Sequence, residues 1–248
     1  MKRYTLIALC VLLTAVFLTG CVTVNFSPSA GRGVSGSGSM ETFSFNVGEV
    51  TEIRVELLCN IVYFSAPSTT VTFDVQSNLM EHITVEESDG ILTVRSNRNL
   101  NFTSTANTPV LTVSSPSLTR VSHAGAGRFT AVDRITADSF SLNITGAADS
   151  RTELDVQSLS VNLAGAGNIE LSGTADNADI SIAGAGRLDA LELQTRTAAI
   201  NLAGVGNVRI SCSDSLSIVA GGVGTVEYRG TPAIDTTRGG LVTLRQVD

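Results

Sequence analysis

Six glycine-centred echoes constrain this chain more than anything else in it: His123-Ala124-Gly125-Ala126-Gly127, Ile144-Thr145-Gly146-Ala147-Ala148, Leu163-Ala164-Gly165-Ala166-Gly167, Ile182-Ala183-Gly184-Ala185-Gly186, Leu202-Ala203-Gly204-Val205-Gly206 and Ala220-Gly221-Gly222-Val223-Gly224. Their lead glycines fall 21, 19, 19, 20 and 18 residues apart. A near-constant period of about 20 residues means one supersecondary unit stacked on copies of itself, a solenoid. Within a unit, Val161, Leu163, Gly165, Gly167, Ile169 and Leu171 share one phase, and Asn162, Ala164, Ala166, Asn168, Glu170 and Ser172 share the other. Period two is a strand signal. The glycines occupy the inward phase, which predicts a corner where another backbone comes close. A helix is excluded, because several glycines and β-branched residues per unit would each cost it up to about 1 kcal/mol.

Two other uses of clustered glycines fail on spacing. A dinucleotide-binding turn needs Gly-x-Gly-x-x-Gly between a strand and a helix, but the sixth position here is Glu170, Asp189 or Arg209 and no helical period follows. Calcium-binding β-rolls repeat at about nine residues with an aspartate after the glycine pair. That position holds Arg128, Asn168, Arg187, Asn207 and Thr225, with Asp149 alone acidic.

The N-terminus carries Lys2 and Arg3, an apolar stretch over residues 6–17, and Leu18-Thr19-Gly20-Cys21. That order describes a secretory signal, and its last four residues resemble a bacterial lipobox, which implies lipidation of Cys21. The apolar run is shorter than the roughly 20 residues a membrane span needs. Expected boundaries are a signal over residues 1–20, a Ser/Gly-rich tether over 21–40 and one domain over 41–248, hairpin-rich to 115 and regularly coiled from 116. Residues 1–20 contain two basic residues and no acid, so their removal takes the formal net charge from −7 to −9. An acidic domain with 5% aromatic residues is a poor ligand for nucleic acid.

Of four cysteines, Cys10 belongs to the signal and Cys21 to the anchor. Cys59 and Cys212 fall on the inward phase of their strands and read as small buried hydrophobes, although an exported location permits a disulfide. The N-terminal half alternates cleanly over residues 43–47, 53–57, 71–75, 83–85 and 91–94, and Asp89-Gly90 is a hairpin turn. Residues 55–64 predict an early coil with Cys59 in a slot that later coils fill with glycine. Residues 65–109 predict inserted antiparallel hairpins that cap or flank the solenoid.

Repeated coils of the form Val-x-x-Gly-Ser/Ala-Gly-x-Ile, closing on the degenerate Arg238-Gly239-Gly240-Leu241-Val242 after Gly230-Thr231-Pro232, resemble the auto-transporter adhesin head, or GIN, domain family. The resemblance spans about residues 40–248 and implies a β-helix-like solenoid with added strands, in an exported bacterial protein. It carries over no catalytic residue. The sequence departs from the pattern at Ala148, at His123 in an inward slot, and at Leu58-Cys59-Asn60.

Chemistry-bearing groups are sparse: two histidines, no Cys/His cluster that would hold a metal, and nothing that calls for a cofactor. Arg151, Glu170, Asp189, Arg209 and Glu227 recur at matching positions of successive coils, which predicts charge ladders on the surface. Between the glycines, Ala126, Ala147, Ala166, Ala185, Val205 and Val223 form an outward strip of small apolar side chains, where a solvated strand would carry polar ones. Such a strip is expected to be covered, by the hairpins of the same chain in preference to another copy or a partner.

Together these features predict an all-β, lipid-anchored, non-enzymatic adhesion or interaction module at the outer membrane or cell surface, with an unidentified protein or glycan as ligand. Self-association is left open. The alternatives are an inward-facing scaffold of the envelope and, less well supported, a polysaccharide-active enzyme.

Overall fold

Alternating apolar residues make strands, and the glycine corners let those strands bend. The computed structural model describes residues 33–102 and 107–248; the signal, Cys21 and the tether up to Arg32 lie outside the described residues. Pairing begins with β1 (Val34–Ser35) and β2 (Met40–Phe45), followed by β3 (Glu52–Val55), β4 (Asn60–Ser65) and β5 (Thr70–Gln76). A single helical turn, α1 (Ser77–Met80), leads into β6 (Ile83–Ser88), β7 (Ile91–Ser96), β8 (Leu100–Asn101) and β9 (Val110–Ser115). The regular coils follow as β10 (Arg120–His123), β11 (Ala126–Ala131), β12 (Ile135–Ile144), β13 (Ala147–Leu163), β14 (Ala166–Ile182), β15 (Ala185–Leu202), β16 (Val205–Ala220), β17 (Val223–Arg229), β18 (Ala233–Arg238) and β19 (Leu241–Gln246).

From β10 onward every coil lies parallel on the preceding one, with like positions in register apart from shifts between Glu170 and Ser172, Ala190 and Gln194, and Thr195 and Thr197. Val121, Leu142, Val161, Ile180, Ile200 and Ile218 stack in one column, each at most 2% exposed. Burying side chains of this size stabilises by about 1.5–3 kcal/mol apiece. Phe129 and Phe140 are likewise buried, where the first coils need more volume.

The early coil is where the sequence places it: β3 and β4 stack parallel beneath β10 and β11. The inserted segment differs from expectation in one respect. The pairs β6–β7, β2–β5 and β5–β9 are antiparallel, but β7 stacks parallel on β3 and β9 parallel on β4. The chain therefore builds one further coil beneath the first, so spatial order departs from chain order. The hairpin at Asp89-Gly90 has positive φ at both residues, 53° and 79°, which matches the twist of the flanking strands.

The corners depend on close backbone approach. A Cβ on Gly165 would stand 1.8 Å from the carbonyl oxygen of Gly146, and one on Gly184 1.8 Å from that of Gly165. The column runs from Gly125, against Leu57, through Gly146, Gly165, Gly184, Gly204 and Gly222 to Gly240. The second glycines Gly127, Gly167, Gly206 and Gly224 also face a backbone carbonyl oxygen, Gly186 meets the Leu163 side chain first, and Ala148 takes the place of one of them. We expect Gly165→Ala to destabilise by about 1–3 kcal/mol or more, since the obstacle is backbone and cannot swing aside. Gly221→Ala, where a Cβ meets nothing within 4 Å, is expected to be neutral or to stabilise by up to about 1 kcal/mol. Paired thermal melts check both.

Candidate interaction surface

The register of the coils turns single outward residues into rows. Ala126, Ala147, Ala166, Ala185, Val205 and Val223 align, and the row continues to Leu241. At the strand spacing of parallel sheets, six steps make a strip about 29 Å long. No described segment covers it: Val205 is 61% exposed, Val223 48% and Leu241 80%. The expectation that the chain's own hairpins shield the strip is overturned, because the inserted strands close the first end of the solenoid rather than folding along its side. Beside it lies a second exposed row of Ala124, Thr145, Ala164, Ala183, Ala203 and Gly221. Leu241 escaped the sequence reading because its coil has degenerated to Gly239-Gly240, but its position after the glycine pair is the signal that would have placed it.

A concave groove of about 940 Å³ runs along another part of the solenoid. Its floor holds the small side chains of Val156, Ala175, Thr195 and Cys212, and Asp138, Asp155 and Gln157 are among the polar residues around it. Thr174 Oγ1 donates to Asp155 at 2.8 Å and Gln157 Nε2 to Asp138 at 3.3 Å, so these walls are partly preorganised. In sequence the same residues look like an ordinary solvated face.

Charge ladders form as expected. Arg151 lies 3.7 Å from Glu170, and Arg209 bridges two coils, at 2.6 Å from Asp189 and 3.1 Å from Glu227, which also pairs with Arg245. The hydrogen bond that Arg209 donates to Asp189, with the charge of the neighbouring carboxylates, raises the Arg209 pKa, while Arg245 and then Arg209 hold Glu227 below the usual carboxylate range. The ladder is not strictly alternating, since Glu170 stacks on Asp189; Arg151 on one side and Arg187 with Arg209 on the other neutralise them.

The chemistry-bearing residues remain scattered. His82 is half-buried, 3.4 Å from Glu81. Cys59 and Cys212 are both buried and free. Burial pushes the Cys59 thiol up to about 12, while the single S–H of Cys212 has the carbonyls of Ser215 and Arg196 as acceptors within reach, at 3.1 and 3.3 Å. No group of three or more metal-binding side chains occurs among the described residues. His123 is 1% exposed and neither ring nitrogen has a hydrogen-bond partner. It stacks between Val55 and Ile144 at the first regular corner.

Parallel coils with register-stacked corners and an antiparallel end define a β-solenoid. The family model described as "Putative auto-transporter adhesin, head GIN domain" matches residues 49–232, and the chain belongs to that family. Among solved structures it is similar to a "putative adhesin" from Bacteroides fragilis NCTC 9343, at 24% identity and a TM-score of 0.81 over 87% of this chain and 100% of the other. A "putative lipid binding protein" from Parabacteroides distasonis ATCC 8503 follows at 20% identity and a TM-score of 0.67, over 87% and 99%. A further "putative adhesin", from Parabacteroides merdae ATCC 43184, gives 22% and 0.65 with the same coverage. At these identities the likeness is one of fold. No match is found among curated proteins.

Burial lowers the His123 pKa, the nearby backbone of Leu57 and Ala126 opposing it. The folded protein therefore holds the neutral ring, whereas the unfolded chain takes up a proton near pH 6.5. Stability from this site is present above about pH 6.5 and is lost as pH falls below it. His123→Leu is expected to flatten that slope and to raise stability at pH 7 by about 1 kcal/mol or more, since it removes two orphaned polar atoms. Denaturant midpoints between pH 5 and 8 check it.

Proposed function

We propose that this protein is an exported, lipid-anchored adhesion or interaction module of the bacterial envelope, held through Cys21 and working without catalysis. The observation that carries the reading is the exposed strip from Ala126 to Leu241 on a rigid frame, a feature that single-domain soluble proteins rarely leave open. Family membership supports a place at the cell surface or envelope. Recognition would come from many equivalent weak contacts along the coils, each adding to avidity rather than acting as one deep pocket. The ligand would be a protein or glycan met at that surface.

Protease shaving of intact cells that express the full chain tests the location. The domain is expected to be cleaved on intact cells, and Cys21→Ala is expected to abolish lipid labelling and membrane retention. Protection on intact cells with cleavage after lysis would instead support an inward-facing scaffold. For the strip, Ala166→Glu with Ala185→Glu is expected to leave the melting temperature within a few degrees, as for most surface changes, while reducing retention on immobilised glycans and extracellular proteins. Release of reducing sugar from a polysaccharide panel would overturn the non-enzymatic reading.

A further inference from the structure

The two ends of the solenoid are unlike. At the first end, β5 and β2 continue the sheet and α1 packs against β5 and β6, leaving Phe73, Leu79 and Leu92 fully buried. At the other end, β18 pairs only with β16 and β19 only with β17, so among the described residues the outer edges of both strands have no partner. The core columns also run out there. Ile234, which ends the column of Phe140, Leu159 and Leu216, is 41% exposed, and Leu244, which ends that of Ile169 and Val226, is half-buried. An open edge with a partly uncovered core is a template for pairing with another chain.

We propose that this end is a self-association surface on which the last coil of a second copy pairs antiparallel, about a two-fold axis through Gly240. Two strand edges meeting at a glycine corner call for an occupant with the same two edges and the same corner, and the last coil of another copy presents both. Rotation about an axis in the plane of that coil exchanges its arms. It sets β18 against β19 of the second copy, with the chains running in opposite directions.

Side-chain alternation requires opposed residues to share a face, and an axis at Gly240 satisfies it. With the axis at Gly240, Thr237 opposes Thr243 and Thr236 opposes Leu244. Asp235 opposes Arg245, and symmetry makes this pair twice. All four of Asp235, Thr237, Thr243 and Arg245 are exposed. Among the described residues Asp235 has no ionic partner, whereas Arg245 has Glu227 as its one ionic partner and stands at the outer edge. An isologous interface of this kind is self-limiting: it closes as a dimer and does not grow into a filament. The inference is independent of where the protein sits in the envelope, so it stands or falls separately from the proposed function.

Thiol cross-linking in the full chain tests it. Co-expressed chains carrying Thr237→Cys and Thr243→Cys are expected to join as a covalent dimer under a mild thiol oxidant and to separate on reduction, because opposed strand residues lie within disulfide reach. Either variant alone should show no more dimer than the unmodified chain. Adding Asp235→Arg to both partners should lower the yield at least ten-fold, and Asp235→Arg combined with Arg245→Asp in both should restore it. Restoration shows that the reversed chains still fold, and thermal melts of each variant confirm it. Absence of the mixed dimer, an equal yield from one cysteine variant alone, or failure of the double reversal to rescue would overturn the proposal.

Discussion

The contact on which the rest of the molecule depends is that between the α-carbon of one corner glycine and the carbonyl oxygen of the glycine one coil below. A Cβ at Gly146, Gly165, Gly184, Gly204 or Gly222 would stand between 1.7 and 1.9 Å from that oxygen. Real side chains do not tolerate such distances, so the coil can close only where the inward slot is empty. Once closed, it brings the backbone of each corner within hydrogen-bonding reach of the last: Ala166 donates to Gly146 at 3.0 Å, Ala185 to Gly165 at 2.9 Å and Val205 to Gly184 at 2.9 Å. The corner is thus continuous with the parallel ladder. Backbone groups that a turn would leave to solvent are satisfied by the neighbouring coil.

This constraint also shapes the surface. Because the corner glycines use the inward phase, the residue between them must point outward, and the coil below places an equivalent residue directly beneath it. Alanine and valine there keep the ladder flat and give water nothing to bind. The same stacking gathers Arg151, Glu170, Asp189, Arg209, Glu227 and Arg245 into one column, where charge order across coils determines whether neighbours attract or repel. Apolar strip, ion ladder and groove are three consequences of one register. None required the sequence to place distant residues together by any other device.

That economy explains what could be read from the chain and what could not. Parity and period are local quantities, so the strands, the corners, the inward cysteines and the Asp89-Gly90 hairpin were legible before any coordinates. The stacking of β7 and β9 beneath β3 and β4 was not, because it depends on which partner an irregular strand selects, and Leu57 and Cys59 stand where glycines would have marked the coil. The route of the inserted segment was equally hidden. Alternation says that a strand has a buried face and does not say which surface buries it, so the strip's exposure could be decided only in three dimensions. The groove is the extreme case. Asp138, Asp155 and Gln157 are ordinary outward residues one by one, and concavity is a property of several coils together.

The first corners show how far the pattern bends before it fails. At Gly125 and Gly127 the coil below offers the carbonyls of Leu57 and Cys59 in place of glycine carbonyls, and the backbone still approaches to the same depth. A glycine is therefore demanded by the coil stacked above, whose Cβ would collide, and not by the coil that supplies the oxygen. The Leu57–Cys59 corner escapes the requirement, whereas every later coil keeps a glycine at the first corner position and Ala148 replaces one at the second. His123 belongs to the same boundary. It occupies a column that continues as Ile144, Leu163, Ile182 and Leu202, and its two unpartnered nitrogens show that the slot is specified by shape, with chemistry only loosely enforced where the regular array begins. The backbone approach is nearly constant from corner to corner, and the inserted strands and the degenerate last corner lie at the two ends, while the register shifts between Glu170 and Ser172 and between Ala190 and Thr197 are absorbed within the array away from the corners.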